Sequence, residues 1–256
     1  MNNAQLRYEF MQHFAKKYAC HADDFLAERN KVVLAEESDA LLAMMCFGHA
    51  AVAKARAPMH DWCVDFTAKH PIGFRLFDGL QLGEVAKELA KHDHYISSGQ
   101  GALPDLSVKR TVPDTGFHTR VFEHSEMPGL CGQIDPAEWP MIEPSEEIAL
   151  AVAAFDGDKV IAMASADNDT DRLYSVGIET QPAYRQKGLG AALLVELTNL
   201  LLSRDVIPFA TFSWANIASK TAAFQCEYYT AWTSMESTNA DWAIKIINGN
   251  RKDKQP

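Results

Sequence analysis

Four residues within one short stretch have chemistry that converges. Arg185 and Lys187 are cations and Gly188 and Gly190 are bare backbone, all within "ETQPAYRQKGLGAALL", Glu179 to Leu194. A leucine-rich run follows, in which Leu189, Leu193, Leu197, Leu200 and Leu201 fall on one side of a helix. The glycines therefore stand at a helix N-terminus, where N–H groups lack acceptors and the macrodipole is positive. Such an end takes an anion, and a phosphate is the first expectation. A tight strand-to-helix turn with a solvated Arg and Lys is the plainer reading of the same residues.

Two familiar phosphate loops fit this stretch poorly. The GxxxxGK[ST] loop places Lys after its glycine and a hydroxyl after the Lys, whereas Lys187 precedes Gly188 and no hydroxyl follows. The GxGxxG fingerprint of dinucleotide sites needs a third glycine where this chain has Leu193.

The flanking elements read clearly. "EIALAVAAF" and "KVIAMASA" are strand-like runs joined by the turn "DGD", and "RLYSVGIET" is a third strand leading into the glycine loop. After the leucine helix come a strand "VIPFATFSW", a short helix "NIASKTAAFQC" with Asn216 at its N-cap, and a strand "YYTAWTSME". This order is α+β or mixed α/β, with helices packed on a sheet.

Upstream, Leu6, Phe10, Phe14 and Tyr18 recur every four residues, one face of a helix, and "HADDFLAERN" continues in the same manner. Residues 40–55 are apolar without clear period and read as a buried strand. Pro58 opens a further helix, and "LGEVAKELAKH" is another. Residues 96–144 hold Pro104, Pro113, Pro128, Pro136, Pro140 and Pro144. They read as loops and short strands at a domain junction near residue 115.

Composition narrows the function. The chain has 256 residues and a net charge of −10 from 34 acids against 24 Lys and Arg, which argues against broad nucleic-acid binding. Cys20, Cys46, Cys63, Cys131 and Cys226 are odd in number, widely spread and without a CxxC pair, so a reduced cytoplasmic setting is expected and a zinc site is not. The N-terminus lacks the basic and apolar segments of a signal peptide. The most apolar run, Ala40 to Ala53, is too short to span a bilayer, so no membrane association is expected. His60-Asp61 and His92-x-His94 invite thoughts of metal or acid–base work, but isolated pairs favour a structural part.

Residues 147–236 as a whole resemble the GNAT superfamily of acyl-CoA-dependent N-acyltransferases, in a branch with a long N-terminal extension. Its pattern Val-x-Pro-x-x-Arg-x-x-Gly-x-Gly is met by Pro182, Arg185, Gly188 and Gly190, with Thr180 in the Val place. Its second block, an Asn with a Ser three residues on, is met by Asn216 and Ser219. The resemblance implies a GNAT-type twisted mixed sheet flanked by helices over residues 116–256. An N-terminal α+β domain, residues 1–115, would shape the acceptor site or form a homodimer.

It also implies acetyl-CoA as acyl donor. The pyrophosphate would lie on the backbone of Gln186, Lys187, Gly188, Leu189, Gly190 and Ala191, with Arg185 and Lys187 adding charge. The pantetheine arm would pair with Ile178, Glu179 and Thr180. Asn216 and Ser219 would line the cofactor, or serve only as an N-cap and a helix-surface serine.

Acylation needs a neutral amine and a base, for which Glu179 is the candidate, its alternative being a structural acid. The family's usual tyrosine acid is replaced by Ala223, and its Gly-Phe pair by Glu227-Tyr228. Tyr228 or Tyr229 could serve as the acid, or be plain strand aromatics while the thiolate leaves unaided. No cysteine lies in the strand before the glycine loop, so direct transfer in a ternary complex is expected, onto a small-molecule or protein amine. The acidic balance favours a cationic acceptor. The departures at Ala223 and Glu227 keep a second reading open, a non-catalytic acyl-CoA-binding sensor or scaffold.

Overall fold

The first helix shows how locally the sequence dictates structure. Asn2 and Gln5 form a reciprocal capping box, each backbone N–H donating to the other's side-chain oxygen at 2.9 Å. Helix α1 (Asn3–Tyr18) then buries Leu6, Phe10 and Tyr18 of the four-residue series together with Met11 and Ala15, leaves Phe14 half-buried, and ends at Ala19 in the left-handed conformation. The computed structural model describes residues 1–135, 139, 145 and 147–239. Residues 240–256 of the expected C-terminal domain, and Pro136, Pro140 and Pro144 of the expected junction, lie outside the described residues.

The fold is mixed α+β, with helices on a mixed sheet, and the chain forms two compact units. The first holds Met1–Gly101 and the described residues from Thr230 on; the second is Ala102–Tyr229. The first contains α1, strands β1 (Lys31–Ala35), β2 (Leu42–Cys46) and β3 (Ala51–Arg56), and helices α2 (Ala57–Lys69) and α3 (Gly79–Ala90). It shares β4 (His94–Pro104) and β10 (Tyr228–Asn239) with the second unit, and its strand order is β1-β3-β2-β10-β4.

Two differences from the sequence reading belong to this unit. The apolar run over 40–55 is two antiparallel strands, because Gly48 at φ 100 turns the chain between Cys46 and Ala51. Strand β4, 11 residues long, runs into a stretch read as loops and short strands. Its segment "HYISSGQG" is only partly buried, so it lacks the strict alternation that marks a strand in sequence. Gly101 in β4 has no room for a side chain, since an added Cβ would meet the Trp232 ring.

The second unit positions the site. Its strands run in the order β9 (Ile207–Ser213), β8 (Leu173–Thr180), β7 (Lys159–Asn168), β6 (Leu150–Asp156), β5 (His118–Glu123). The β6–β7 hairpin turns at Gly157, φ 59, the "DGD" of the sequence. Neighbours β5 to β8 pair antiparallel, while β8 and β9 are parallel. One face carries Val152, Ala154, Ala162, Ala164, Ala166 and Val176 against helix α5 (Leu189–Ser203). The other carries Phe122, Ala151, Ala153 and Met163 with Met127 and Leu130 of the short α4 (Met127–Cys131). Small alanines on the α5 face let the helix lie close, and each fully buried leucine of α5 contributes about 1.5–3 kcal/mol relative to exposure. Helix α6 (Ile217–Gln225) follows β9.

Candidate functional site

The site begins where β8 and β9 part. Their parallel register runs over three pairs, Leu173 with Ile207, Tyr174 with Pro208 and Ser175 with Phe209. Both strands continue, to Thr180 and Ser213, yet past Ser175 and Phe209 no pairing between them occurs among the described residues. Strand β8 keeps its partner on the other side, β7, out to Thr180. The edge of Val176–Thr180 that faces β9 therefore offers unpaired backbone groups, which an extended ligand can engage as an added strand.

The loop after β8 curls into α5. Gln186 at φ 62 and Gly188 at φ 76 are both left-handed, and Gly188 is the N-cap with no side chain capping it. The first bond of the helix runs from Ala192 N to Gly188 O at 3.0 Å. The N–H groups of Leu189, Gly190 and Ala191 thus have no acceptor within the helix. Gly190 is held close to β8: an added Cβ would lie 3.4 Å from Thr180 Oγ1 and 3.5 Å from Ile178 Cδ1. Residues 185–188 are exposed, so an anion has access to this end.

The two cations of the loop behave differently. Arg185 donates from Nη2 to Glu179 Oε1 at 3.0 Å and from Nε to the Thr180 carbonyl at 3.0 Å. It locks the loop onto the strand. Lys187 lies over the Tyr184 ring, 4.9 Å from its centroid, and Tyr184 donates to Asp156 Oδ2 at 2.7 Å. Glu179 is only 6% exposed. Burial pushes its carboxyl above the ordinary range, while the Arg185 guanidinium and the Thr180 N–H pull the other way.

The remaining sequence candidates are placed as follows. Asn216 caps α6, accepting from the Ser219 N–H at 3.1 Å, and Ser219 is half-buried in the first turn. Tyr228 is 4% exposed, in the core beneath α5, with its hydroxyl 2.8 Å from Thr198 Oγ1. Burial pushes its phenol well above the ordinary value. Ala223 is buried in the same core. Ile178 also packs on the α5 side of β8, so strand alternation puts Glu179 on the opposite face. His60 Nδ1 is 3.1 Å from the exposed Asp61 carboxylate, and His94 Nδ1 is 2.9 Å from the His92 carbonyl. No group of three metal-ligating side chains occurs among the described residues.

Sequence reasoning missed Arg110, Gln181 and Thr198. Arg110 is buried and donates to the carbonyls of Cys226 at 3.0 Å, Asp105 at 2.7 Å and Glu227 at 3.0 Å. It holds the turn between α6 and β10. Gln181 is buried at the end of β8 and donates to the Val160 carbonyl at 3.0 Å. A lone Arg or Gln carries no sequence signal for such contacts, because its acceptors are distant main-chain carbonyls.

The matching family model, the acetyltransferase (GNAT) family, covers residues 119–225, from β5 through the last residue of α6. These residues are a GNAT acetyltransferase domain. That family is one of transferases. A GCN5-related N-acetyltransferase from Kribbella flavida aligns over 88% of this chain and 95% of its own, at 16% identity and a TM-score of 0.50, a likeness of fold. An acetyltransferase of the GNAT family from Colwellia psychrerythraea aligns over 62% of each chain at 11% identity and a TM-score of 0.44. A GCN5-related N-acetyltransferase from Sphaerobacter thermophilus aligns over 61% of this chain and 56% of its own, at 11% identity and a TM-score of 0.46. The last two alignments span less than two thirds of those proteins' length. No curated protein sequence matches this chain. Within the GNAT domain, the strand opening, the uncapped α5 N-terminus and the Arg185–Glu179 pair lie together around the end of β8.

Proposed function

We propose that the GNAT domain transfers an acetyl group from acetyl-CoA directly to an amine acceptor. The observation that carries this reading is the adjacency of the β8–β9 opening to the uncapped N-terminus of α5. On this reading the backbone of Gln186–Ala191 receives the pyrophosphate. Lys187 adds charge, and Arg185 keeps the loop in place. The pantetheine arm pairs with Ile178–Thr180, and a backbone N–H of that edge donates to the thioester oxygen as negative charge develops there. Asn216 and Ser219 line the far side of the arm.

Glu179 takes the proton of the attacking amine, directly or through water. The N–C bond forms as the C–S bond breaks, and the thiolate carries away the electron pair. An acid at Tyr228 would have to act from within the core. The hydrogen bond to Thr198 supports a structural part for it, with departure of the thiolate unaided. The five cysteines are unpaired thiols, in keeping with a cytoplasmic setting. Among the described residues no helix is long and apolar enough to cross a membrane. A homodimer formed through the N-terminal region belongs to the same proposal, and sedimentation tests it.

Thermal unfolding with and without acetyl-CoA tests the donor. Ligand at about a hundred times its dissociation constant stabilises by about 2.7 kcal/mol. The shift is expected in the natural protein and lost in Gly188→Glu/Gly190→Glu, which fills the cradle with bulk and negative charge. No shift with both proteins folded would end the acyl-CoA reading.

The second reading, a non-catalytic acyl-CoA-binding module, is favoured by two observations. The usual tyrosine position is the buried Ala223, and the nearby Tyr228 is engaged with Thr198. Stabilisation by acetyl-CoA without release of CoA across a broad amine panel would select it.

A further inference from the structure

Strand β1 has a neighbouring strand on one side only. All of its residues pair with β3, from Lys31 with Val52 to Ala35 with Arg56, and no other strand pairs with β1 among the described residues. Alternate residues of a strand turn both N–H and C=O to the same side, so the side of β1 away from β3 carries open donors and acceptors. Such edges are usually guarded by charge. The outer strand of the second unit is guarded in this way: on β5, Arg120 lies 4.4 Å from the Phe122 ring centroid and pairs with Glu126 at 2.6 Å, and Glu123 pairs with Arg204. Strand β1 instead reads Val-Val-Leu-Ala after Lys31, whose ammonium is turned to Asp24 at 2.6 Å.

Apolar surface lies along the same edge. Val32 packs against the core cluster that holds Met59, Cys63 and Phe66 of α2. Leu34, two residues on, shares that face by strand alternation yet is 53% exposed. The flanks of the strand carry opposite charge. Arg29 stands before it and Glu36 and Glu37 follow it; all three are exposed, and none forms an ion pair among the described residues. A strand that is basic at its start and acidic at its end is complementary to an antiparallel copy of itself.

We propose that β1 pairs with β1 of a second copy of this chain, antiparallel about a two-fold axis perpendicular to the sheet. This rests on the homodimer reading above, whose interface it names, and is independent of acyl transfer. The axis keeps each face of the sheet on its own side, so opposed residues must point alike and the register must centre on a residue. Centred on Val33, it sets Leu34 of one copy opposite Val32 of the other, Lys31 opposite Ala35, and Arg29 opposite Glu37. The pairing occupies the open backbone groups, covers Leu34 and joins the two unpaired charges once on each side of the axis. The backbone and Leu34 would suit many strands; the charges select this one.

Sedimentation of the full chain over a concentration series tests this, with Arg29→Glu, Glu37→Arg, the exchange Arg29→Glu/Glu37→Arg, and Leu34→Lys. The substituted side chains are exposed, and circular dichroism checks that each variant folds. The natural protein is expected to dimerise. Each single reversal sets like charges opposite one another twice, and it is expected to raise the dimer dissociation constant about tenfold or more, as is Leu34→Lys. The exchange is expected to return it to near the natural value. An equal mixture of Arg29→Glu and Glu37→Arg is expected to form heterodimers, because one chain then carries two acids and the other two bases. A natural protein that stays monomeric would overturn the interface and the homodimer together. A dimer indifferent to the reversals and to Leu34→Lys would remove the interface and leave the homodimer standing. Reversals that weaken the dimer yet stay monomeric when mixed would end the antiparallel pairing. The measurement uses no CoA, so its outcome is separate from that of the acyl-transfer reading.

Discussion

Arg185 bridges the glycine loop back to the strand before it, with its guanidinium 3.0 Å from the buried Glu179 carboxylate and on the Thr180 carbonyl. Two donors in a fixed fork hold the loop in the shape that opens the α5 N-terminus, a geometry that an ammonium cannot reproduce. Arg185→Ala is expected to weaken CoA binding about tenfold, about 1.4 kcal/mol, and Arg185→Lys to recover only part of it. Lys187→Ala, which removes an exposed cation, is expected to cost a few-fold at most. Titration of CoA into the three variants checks this, and equal losses at the two positions would contradict it.

The raised carboxyl of Glu179 sets a pH dependence. As a base it acts ionised, so activity is present above its raised value and lost as pH falls through it. The acid limb of kcat/KM is expected above the ordinary glutamate value of 4.5. Glu179→Gln should remove that limb and lower kcat by about a hundredfold or more. Stability carries the opposite sign. Between the ordinary and raised values the folded protein holds the proton more tightly than the unfolded chain, so stability falls as pH rises through that window. A pH profile unchanged by Glu179→Gln would exclude Glu179 as the base.

Tyr228 and Thr198 share one buried hydrogen bond of 2.8 Å. Tyr228→Phe and Thr198→Val are each expected to cost about 1–2 kcal/mol, because each leaves the other hydroxyl unsatisfied in the core. The double variant should lose less than the sum. Chemical denaturation measures this, and kcat should stay within twofold in Tyr228→Phe. A drop in kcat beyond tenfold without loss of stability would make Tyr228 the acid.

Glu227 follows α6 at φ 61, in the left-handed region that disfavours a side chain. The contacts made there are main-chain: its carbonyl accepts from Asp105 N at 2.8 Å and from Arg110 Nη2 at 3.0 Å. Glu227→Gly keeps both and relieves the backbone, so it is expected to stabilise by about 1 kcal/mol, raising Tm by about 2–4 °C. Calorimetry that finds destabilisation would show that the carboxylate has a role of its own. The same strain explains why a glycine suits this position in the family pattern and why its replacement leaves the turn intact: Arg110 pins the chain on either side.

Local patterns made much of the second unit legible. Apolar runs bounded by turns marked β6 to β8, the "DGD" turn closed the β6–β7 hairpin, and leucine spacing marked α5, because each depends on neighbours within a few residues. The Arg-Gln-Lys-Gly-Leu-Gly stretch announced a helix N-terminus open to an anion for the same reason. Tertiary structure decided what those residues do with their partners. It gave Arg185 to Glu179, Tyr228 to Thr198 thirty positions away, and Arg110 to the carbonyls beyond α6. It parted β8 from β9 after Ser175. Strand β4 escaped notice because its polar, half-buried residues are ordered by adjoining strands from elsewhere in the chain. Backbone periodicity is written into sequence by nearest neighbours. The pairing of a charge or hydroxyl with a distant group is fixed only when packing removes the water that would otherwise satisfy it.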